Sequence, residues 1–196
     1  ENQAFVTAQT FKTHFKVTTF MHNSIWSNDK NLNINADSAV ADNEKVQLDY
    51  KVNVAKGEKS SIQKIGGYTV SLNHENTQTA AENAIKSALA KGYDELLQNQ
   101  IDAWAKIWEM SDITIDGDVK AQQGIRFNIF QLNQTYSGKD SRLNIGPKGF
   151  TGEKYGGSTY WDTEAYCIPF YMATKDQQVA RNLLTYRYNQ LDKAIE

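Results

Sequence analysis

The chain has 196 residues, of which 40% are apolar or aromatic and 22% are charged, the balance of an ordinary folded protein. This composition excludes a mainly disordered chain, and the length suffices to bury a core without disulfide staples. The formal charge is -2, so no strong field of either sign draws nucleic acid or an anionic membrane.

Cysteine and histidine usage narrows the chemistry further. Cys167 is the only cysteine, which excludes a thiolate metal site and favours a reducing, cytoplasmic location. The three histidines show no metal-binding spacing, so we expect no metal. No apolar run approaches the length of a membrane span. The chain begins with Glu1 and shows no signal peptide, so we interpret it as an internal piece of a longer protein.

The first part of the chain has the texture of β-structure. Residues 46–54 alternate apolar and polar side chains, which predicts a half-buried antiparallel strand. Shorter alternating or β-rich runs occur at residues 11–17, 32–36 and 62–72, and they predict further strands. Several short strands joined by polar turns are typical of a β-sandwich.

From Thr79 onwards, apolar residues recur every three or four positions and predict amphipathic helices. Thr79 and Glu82 have the spacing of a capping box, and Gly92 is expected to separate two helices. Trp104 and Trp108 lie one turn apart and are expected to pack in a core.

A second helical region follows a short extended piece at residues 112–118. Residues 119–136 predict one helix, residues 161–173 another that Pro169 kinks, and Asp176 opens a last helix that runs to Ile195. The fold class is therefore α+β. We divide the chain into the end of a β-sandwich at residues 1–76, a helical linker at 77–118 and the start of an all-α domain at 119–196.

The densest candidate for chemistry is the segment of residues 149–164. It overlaps the stretch of residues 137–158, in which 22 residues hold six of the twelve glycines. The glycine spacing matches neither a phosphate-binding P-loop nor the dinucleotide fingerprint, which excludes both.

The side chains of this segment suit a sugar, which needs aromatic faces and hydrogen-bond acceptors. The candidates are Tyr155, Tyr160, Trp161, Asp162, Glu164 and Tyr166. Two ordinary alternatives stay open: the aromatic residues pack in a core, and Asp162 caps a helix. Asp162 and Glu164 point about 200 degrees apart on a helix, so they cannot form an acid and base pair unaided.

Other residues allow two interpretations each. Arg126 with Gln122 or Gln123 either lines a cavity or has a surface or helix-pairing role. The side chains of Arg142, Lys148 and Lys154 either meet phosphate or belong to a solvated loop. Cys167 is interpreted as a small apolar residue, because no histidine follows His74 to activate it.

Residues 124–173 closely resemble glycoside hydrolase family 65, the α-glucoside phosphorylases. The resemblance is carried by Gly152-Glu153, by Tyr155 and by Tyr160-Trp161-Asp162-Thr163-Glu164, and the sequence Gly157-Ser158-Thr159-Tyr160 looks like the branch that acts on maltose. The family implies an N-terminal antiparallel β-sandwich, a helical linker and an (α/α)6 barrel. This chain would hold the end of the sandwich, the linker and the first barrel helices.

The resemblance also implies an activity, inverting phosphorolysis of maltose to β-glucose 1-phosphate and glucose. Inorganic phosphate is the co-substrate, no metal or organic cofactor is needed, and the full enzyme is a cytoplasmic homodimer. Trp161 and Asp162 would hold hydroxyl groups of the donor glucose, with Tyr160, Glu153 and Glu164 nearby. The general acid lies downstream, so we assign no catalytic residue and expect the isolated chain to be inactive.

Two alternatives to this function follow from the same residues. The first is a phosphorylase or hydrolase for another α-glucoside. The second is a non-catalytic carbohydrate-binding module, in which the side chains around Trp161 would grip a glucan without any downstream domain.

Overall fold

The computed structural model describes residues 2–42, 44–146 and 158–196. The chain forms two compact units, Glu1–Gln98 and Asn99–Glu196. Within the described residues, the strands all lie in the first unit, and helical segments predominate in the second. No helix in these described ranges is both long and apolar enough to cross a membrane.

The strands of the first unit pair in antiparallel fashion throughout. One sheet is built around the long strand β2 (Lys16–Ser27). This strand pairs with β1 (Gln3–Gln9), β3 (Lys30–Asn31) and β6 (Ser60–Val70). A second pair is formed by β4 (Ser38–Ala41) and β5 (Val46–Asp49). The prediction of an antiparallel sheet followed by helices is confirmed.

The core of the first unit forms where β2 meets the first helix, α1 (Thr77–Ser111). The Phe20 ring packs with Ala81 and Ile85 of α1, and Phe5 of the neighbouring strand borders this cluster. Opposite Phe20, β6 carries Gly67, where an added Cβ would lie 2.8 Å from the ring carbon Cζ. The glycine therefore leaves the space that the Phe20 ring occupies.

Hydroxyl groups hold the start of α1 to the sheet. The Oγ1 atoms of Thr18 and Thr77 are 2.7 Å apart, and Thr69 donates its hydroxyl to the Thr77 carbonyl oxygen at 2.6 Å. All three residues are buried. Each hydroxyl thus has a partner, which offsets the cost of removing it from water.

Three of the predicted strand segments were wrong in extent or in kind. The strand at residues 46–54 ends at Asp49, and residues 32–36 form no strand. Phe11 is 96% exposed in the connection between β1 and β2, which the Phe15 amide closes by donating to Thr10 Oγ1 at 2.9 Å. Alternation alone therefore does not fix the extent of a strand, because strand formation also depends on the neighbouring chain segments.

The beginning and the interruption of α1 follow from two residues. Asn76 caps the helix by accepting from the Thr79 amide through Oδ1 at 3.0 Å, so the predicted capping box of Thr79 and Glu82 was wrong. Gly92 has φ of 75° and ψ of 172°, which breaks the helical path as predicted. A residue with a side chain rarely adopts this conformation.

The second unit contains α2 and a series of shorter helical segments. Its elements are α2 (Val119–Thr135), a π-helical turn (Thr163–Cys167), α3 (Ile168–Thr174), α4 (Gln177–Tyr188) and α5 (Leu191–Ile195). Asp118 and Asp176 cap α2 and α4 through their carboxylates. The shared core comprises Tyr136, Ile145, Ile168, Tyr171, Val179, Ala180 and Leu183.

Two helix predictions in this unit need correction. The distortion expected at Pro169 is a π-helical turn just before it, in which the Ile168 amide donates to the Thr163 carbonyl. Proline has no amide hydrogen to continue the α-helical pattern, so a wider turn precedes it. The last predicted helix is interrupted between Tyr188 and Leu191, where the Gln190 amide donates to the Arg187 carbonyl at 3.1 Å in a tighter turn of the 3₁₀ type.

We predict that Gly138→Ala destabilises the protein strongly. Gly138 has φ of 76°, and an added Cβ would lie 2.5 Å from Cγ1 of the buried Val179. Backbone strain and overpacking together should cost roughly 2 to 5 kcal/mol and lower the midpoint of thermal unfolding. The control is Gly124→Ala in α2, where the added Cβ meets nothing within 4 Å. Alanine there should stabilise the helix by about 0.5 to 1 kcal/mol, and equal midpoints for the two variants would contradict the prediction.

We also predict that Asn76→Ala weakens α1 while Thr79→Ala does not. Loss of the Asn76 cap should cost about 0.5 to 2 kcal/mol, because the Thr79 amide loses its acceptor. Thermal unfolding of the two variants measures the difference. A larger loss at Thr79 would restore the capping box.

Candidate functional site

Trp161 and Asp162 lie at the start of the helical path that leads into the π-helical turn. The Trp161 side chain is 67% exposed, and Asp162 is half-buried. The Asp162 carboxylate makes no capping hydrogen bond, although the residue stands directly before the π-helical turn. The alternative interpretation of Asp162 as a helix cap was therefore wrong, and its carboxylate is not committed to that role.

The exposed indole has an aromatic neighbour one turn later. The ring centroids of Trp161 and Tyr166 are 6.0 Å apart at an interplanar angle of 42°, and Tyr166 is 68% exposed. Tyr160 is also exposed. Aromatic faces left in water next to a carboxylate can cover the C–H surface of a sugar while the carboxylate accepts its hydroxyl groups.

Thr163 anchors this segment to the core of the second unit. Its side chain is buried, and its hydroxyl donates to the Ile145 carbonyl oxygen at 3.0 Å. A Cβ placed on Gly146 would lie 3.7 Å from the Ser158 carbonyl oxygen, so the residues on either side of 147–157 meet. Of the predicted binding residues, Glu153 lies outside the described residues, as does Tyr155.

The Glu164 carboxylate pairs with Arg187 of α4. The Arg187 guanidinium donates to both of its carboxylate oxygens, from Nε to Oε1 at 2.9 Å and from Nη2 to Oε2 at 3.1 Å. The hydrogen bonds with Glu164 raise the pKa of the Arg187 guanidinium. Nothing local in the sequence marks Arg187, because its partner stands 23 positions earlier. Sequence reasoning missed it.

Other candidates have structural partners. Arg126 forms a forked ion pair with Asp112 at 2.8 and 2.6 Å, and Gln122 bridges the backbone of Ile113 and Ile115, so both side chains tie α2 to the extended segment that follows α1. The half-buried Trp104 stacks on Phe130 of α2 with ring centroids 4.9 Å apart, although neither ring belongs to a buried core cluster.

Arg142, one of the three candidates for phosphate binding, is paired with a nearby aspartate. Its guanidinium donates from Nε and Nη2 to the carboxylate of Asp140 and lowers the pKa of that carboxyl to about 2. The other two candidates, Lys148 and Lys154, lie outside the described residues.

Cys167 does not have the environment of a nucleophile. Its side chain is half-buried against the core of the second unit. Burial raises the pKa of the thiol, and the nearby carboxylates of Asp162 and Glu164 raise it further. The neutral thiol supports the interpretation of Cys167 as an apolar packing residue.

A cleft of about 410 Å³ opens elsewhere in the second unit. Apolar side chains of Ile107, Met110 and Val179 line it together with Lys139 and Lys175. Burial, followed by the charge of Lys139, lowers the pKa of Lys175. None of residues 158–168 lines this cleft, so the aromatic and acidic segment is a separate surface.

Within the described ranges, no group of three or more His, Cys, Asp or Glu side chains is arranged to hold a metal ion.

Comparison with protein families decides the class of the molecule. The model described as "Glycosyl hydrolase family 65, N-terminal domain" matches residues 1–107, and that described as "Glycosyl hydrolase family 65 central catalytic domain" matches residues 126–196. The chain belongs to glycosyl hydrolase family 65. The sequence resemblance is thereby confirmed, and residues 158–164 fall within the part that matches the catalytic domain.

Several curated family 65 phosphorylases are similar to this chain. Maltose phosphorylase of Bacillus subtilis is 49% identical over 138 residues, or 69% of the chain. Kojibiose phosphorylase of Caldanaerobacter subterraneus and α,α-trehalose phosphorylase of Geobacillus stearothermophilus are each 38% identical over 71% of the chain. The chain spans 18% of the length of each of these relatives.

A solved structure supports the same family. The protein named "Putative kojibiose phosphorylase from human microbiome" is 31% identical to this chain with a TM-score of 0.83. The match covers 98% of this chain and 25% of that protein.

Proposed function

We propose that the full-length protein containing this chain cleaves maltose with inorganic phosphate and inverts the anomeric carbon. The identity of 49% to a maltose phosphorylase, against 38% to kojibiose and trehalose phosphorylases, favours maltose. The observation that most supports this binding site is the exposure of Trp161 next to Asp162, whose carboxylate makes no capping hydrogen bond.

The proposed reaction exchanges one oxygen substituent of the anomeric carbon for another. A phosphate oxygen attacks that carbon from the face opposite the glycosidic oxygen, and the bond from the carbon to the glycosidic oxygen breaks. A general acid protonates the departing oxygen, which leaves as glucose, and β-glucose 1-phosphate remains. No electrons are transferred, so the reaction requires no redox cofactor. The acid is expected downstream of this chain.

Within this proposal, residues 160–164 form one wall of the donor-glucose pocket. The Asp162 carboxylate accepts hydrogen bonds from glucose hydroxyl groups, and the Trp161 ring shields an apolar face of the sugar. Tyr160, Glu153 and Glu164 are the flanking candidates. The Trp161 and Tyr166 rings, with their large exposed fractions, supply the aromatic surface that this role needs.

The finer architecture belongs to the same proposal. We infer that residues 1–76 are the end of a β-sandwich, 77–118 a linker and 119–196 the first helices of an (α/α)6 barrel. The shared core beneath α3 and α4 and the match to the family's catalytic domain support the last assignment. A homodimer in the cytoplasm remains a prediction from the family resemblance.

The alternative substrate is another α-glucoside, because maltose, kojibiose, trehalose and nigerose are all α-linked disaccharides of glucose. They share the donor glucose and differ in the position at which the second glucose is attached. A wall that grips the donor glucose recognises what the four have in common. Discrimination therefore depends on residues that bind the second glucose.

We predict that the full-length protein consumes maltose only when phosphate is present. Incubation with each of the four disaccharides, with and without phosphate, followed by NMR of the products, should show β-glucose 1-phosphate from maltose. Glucose release in phosphate-free buffer would indicate a hydrolase. Turnover of another of the four disaccharides in preference to maltose would assign that disaccharide as the substrate. Binding without any turnover would indicate a carbohydrate-binding module.

We predict that Asp162→Ala in the full-length enzyme lowers kcat/KM by about tenfold to a hundredfold or more. The loss reflects charge-assisted hydrogen bonds worth roughly 1.5 to 3 kcal/mol each. The matched control is Asp192→Ala on α5, which removes an exposed carboxylate of the same unit. Initial rates of maltose phosphorolysis measure both variants, and equal rates would remove Asp162 from the proposed wall.

A further inference from the structure

Arg187 on α4 contacts the segment of the proposed glucose wall at three residues. Besides its two bonds to Glu164, it donates from Nη1 to Thr159 Oγ1 at 3.2 Å and from Nη2 to the Tyr160 carbonyl oxygen at 3.0 Å. These acceptors stand on both sides of Trp161 and Asp162 in the chain. One guanidinium therefore brackets the two residues that carry the proposed binding role.

The backbone hydrogen bonds at the start of this segment differ in length. The Thr163 amide reaches the Tyr160 carbonyl only at 3.4 Å, which is long for a hydrogen bond, whereas the Ala165 amide meets the Trp161 carbonyl at 3.0 Å. Arg187 therefore makes the shorter hydrogen bond to the Tyr160 carbonyl, at 3.0 Å.

The chemistry of these contacts requires an arginine. The planar guanidinium presents its donors in a fixed fork, so it meets a carboxylate and a backbone carbonyl at the same time. A lysine ammonium carries the same charge on a single flexible nitrogen and cannot reproduce the fork. The ion pair of Arg187 and Glu164 is partly exposed, at 38% and 28% of the two side chains, so it adds little to global stability.

We propose that Arg187 is a positioning residue for sugar binding, which fixes the orientation of Trp161 and Asp162 through Thr159, Tyr160 and Glu164. The inference rests on the proposed function, because it assumes that Trp161 and Asp162 contact the donor glucose. Glu164 acts here as the counter-ion that holds the guanidinium in place. Displacement of a binding wall by about 1 Å is enough to lower turnover by as much as a hundredfold.

The test compares Arg187→Met with Arg126→Met in the full-length enzyme. Arg126 is a matched control because it makes a similar forked ion pair, with Asp112, in the same unit and away from residues 158–168. We expect Arg187→Met to lower kcat/KM for maltose phosphorolysis by about tenfold to a hundredfold. Arg126→Met should retain kcat/KM within about twofold, with a similar change in thermal-unfolding midpoint.

A double-mutant cycle with Trp161→Ala separates positioning from a general structural effect. If Arg187 acts through the wall, Arg187→Met added to Trp161→Ala should lower kcat/KM by less than about twofold more. Independent, multiplying effects of the two substitutions would contradict the proposal. So would equal activities of Arg187→Met and Arg126→Met.

Arg187→Lys keeps the test decisive if Arg187→Met fails to fold. Lysine retains the charge and loses the fork, so a folded Arg187→Lys enzyme should still show reduced kcat/KM. Full activity of Arg187→Lys would overturn the proposal. If Trp161→Ala and Asp162→Ala leave kcat/KM unchanged, the glucose wall itself is wrong, and this outcome is distinct from a failure at Arg187 alone.

Discussion

The anchoring of residues 158–164 to α4 and to the core is the constraint on which the candidate site depends. Thr163 donates its hydroxyl to the Ile145 carbonyl, and the Arg187 guanidinium donates to the Glu164 carboxylate. Between these anchors, Trp161 is largely exposed and Asp162 makes no capping hydrogen bond. A side chain that binds a ligand must be available and still oriented, and fixing its neighbours achieves both.

The anchors are effective because the helices beneath them are tied to one another. The fully buried Tyr171 of α3 donates its hydroxyl to the Leu132 carbonyl at 2.7 Å, in the last turn of α2, where carbonyls lack helical partners. On α4, Asn182 donates to the Gly138 carbonyl at 2.6 Å, just after α2 ends. Side chains of α3 and α4 therefore both bind the backbone at the same end of α2.

Local sequence signals predicted the elements whose causes are local. The cap at Asp176, the break at Gly92 and most of the extent of α2 follow from single residues or from regular spacing. Predictions that depend on a distant partner were less successful. Phe11 alternates like a strand residue but lies in a hairpin connection, and the cap of α1 is Asn76 because the helix begins two residues earlier than its apolar pattern. The family itself was recognisable from the sequence around Trp161.

Trp104 and Trp161 show why the sequence alone could not describe the site. Both are followed by another aromatic residue four or five positions later, and both lie on helical paths. Trp104 also meets Phe130 from α2, whose ring covers its face, whereas Trp161 has Tyr166 and remains largely exposed. The difference arises from a partner 26 positions away, which periodicity does not encode. An aromatic pair left in water carries a free-energy cost that binding of an apolar sugar face would recover, so the surface that lacks an internal partner is the one suited to a ligand.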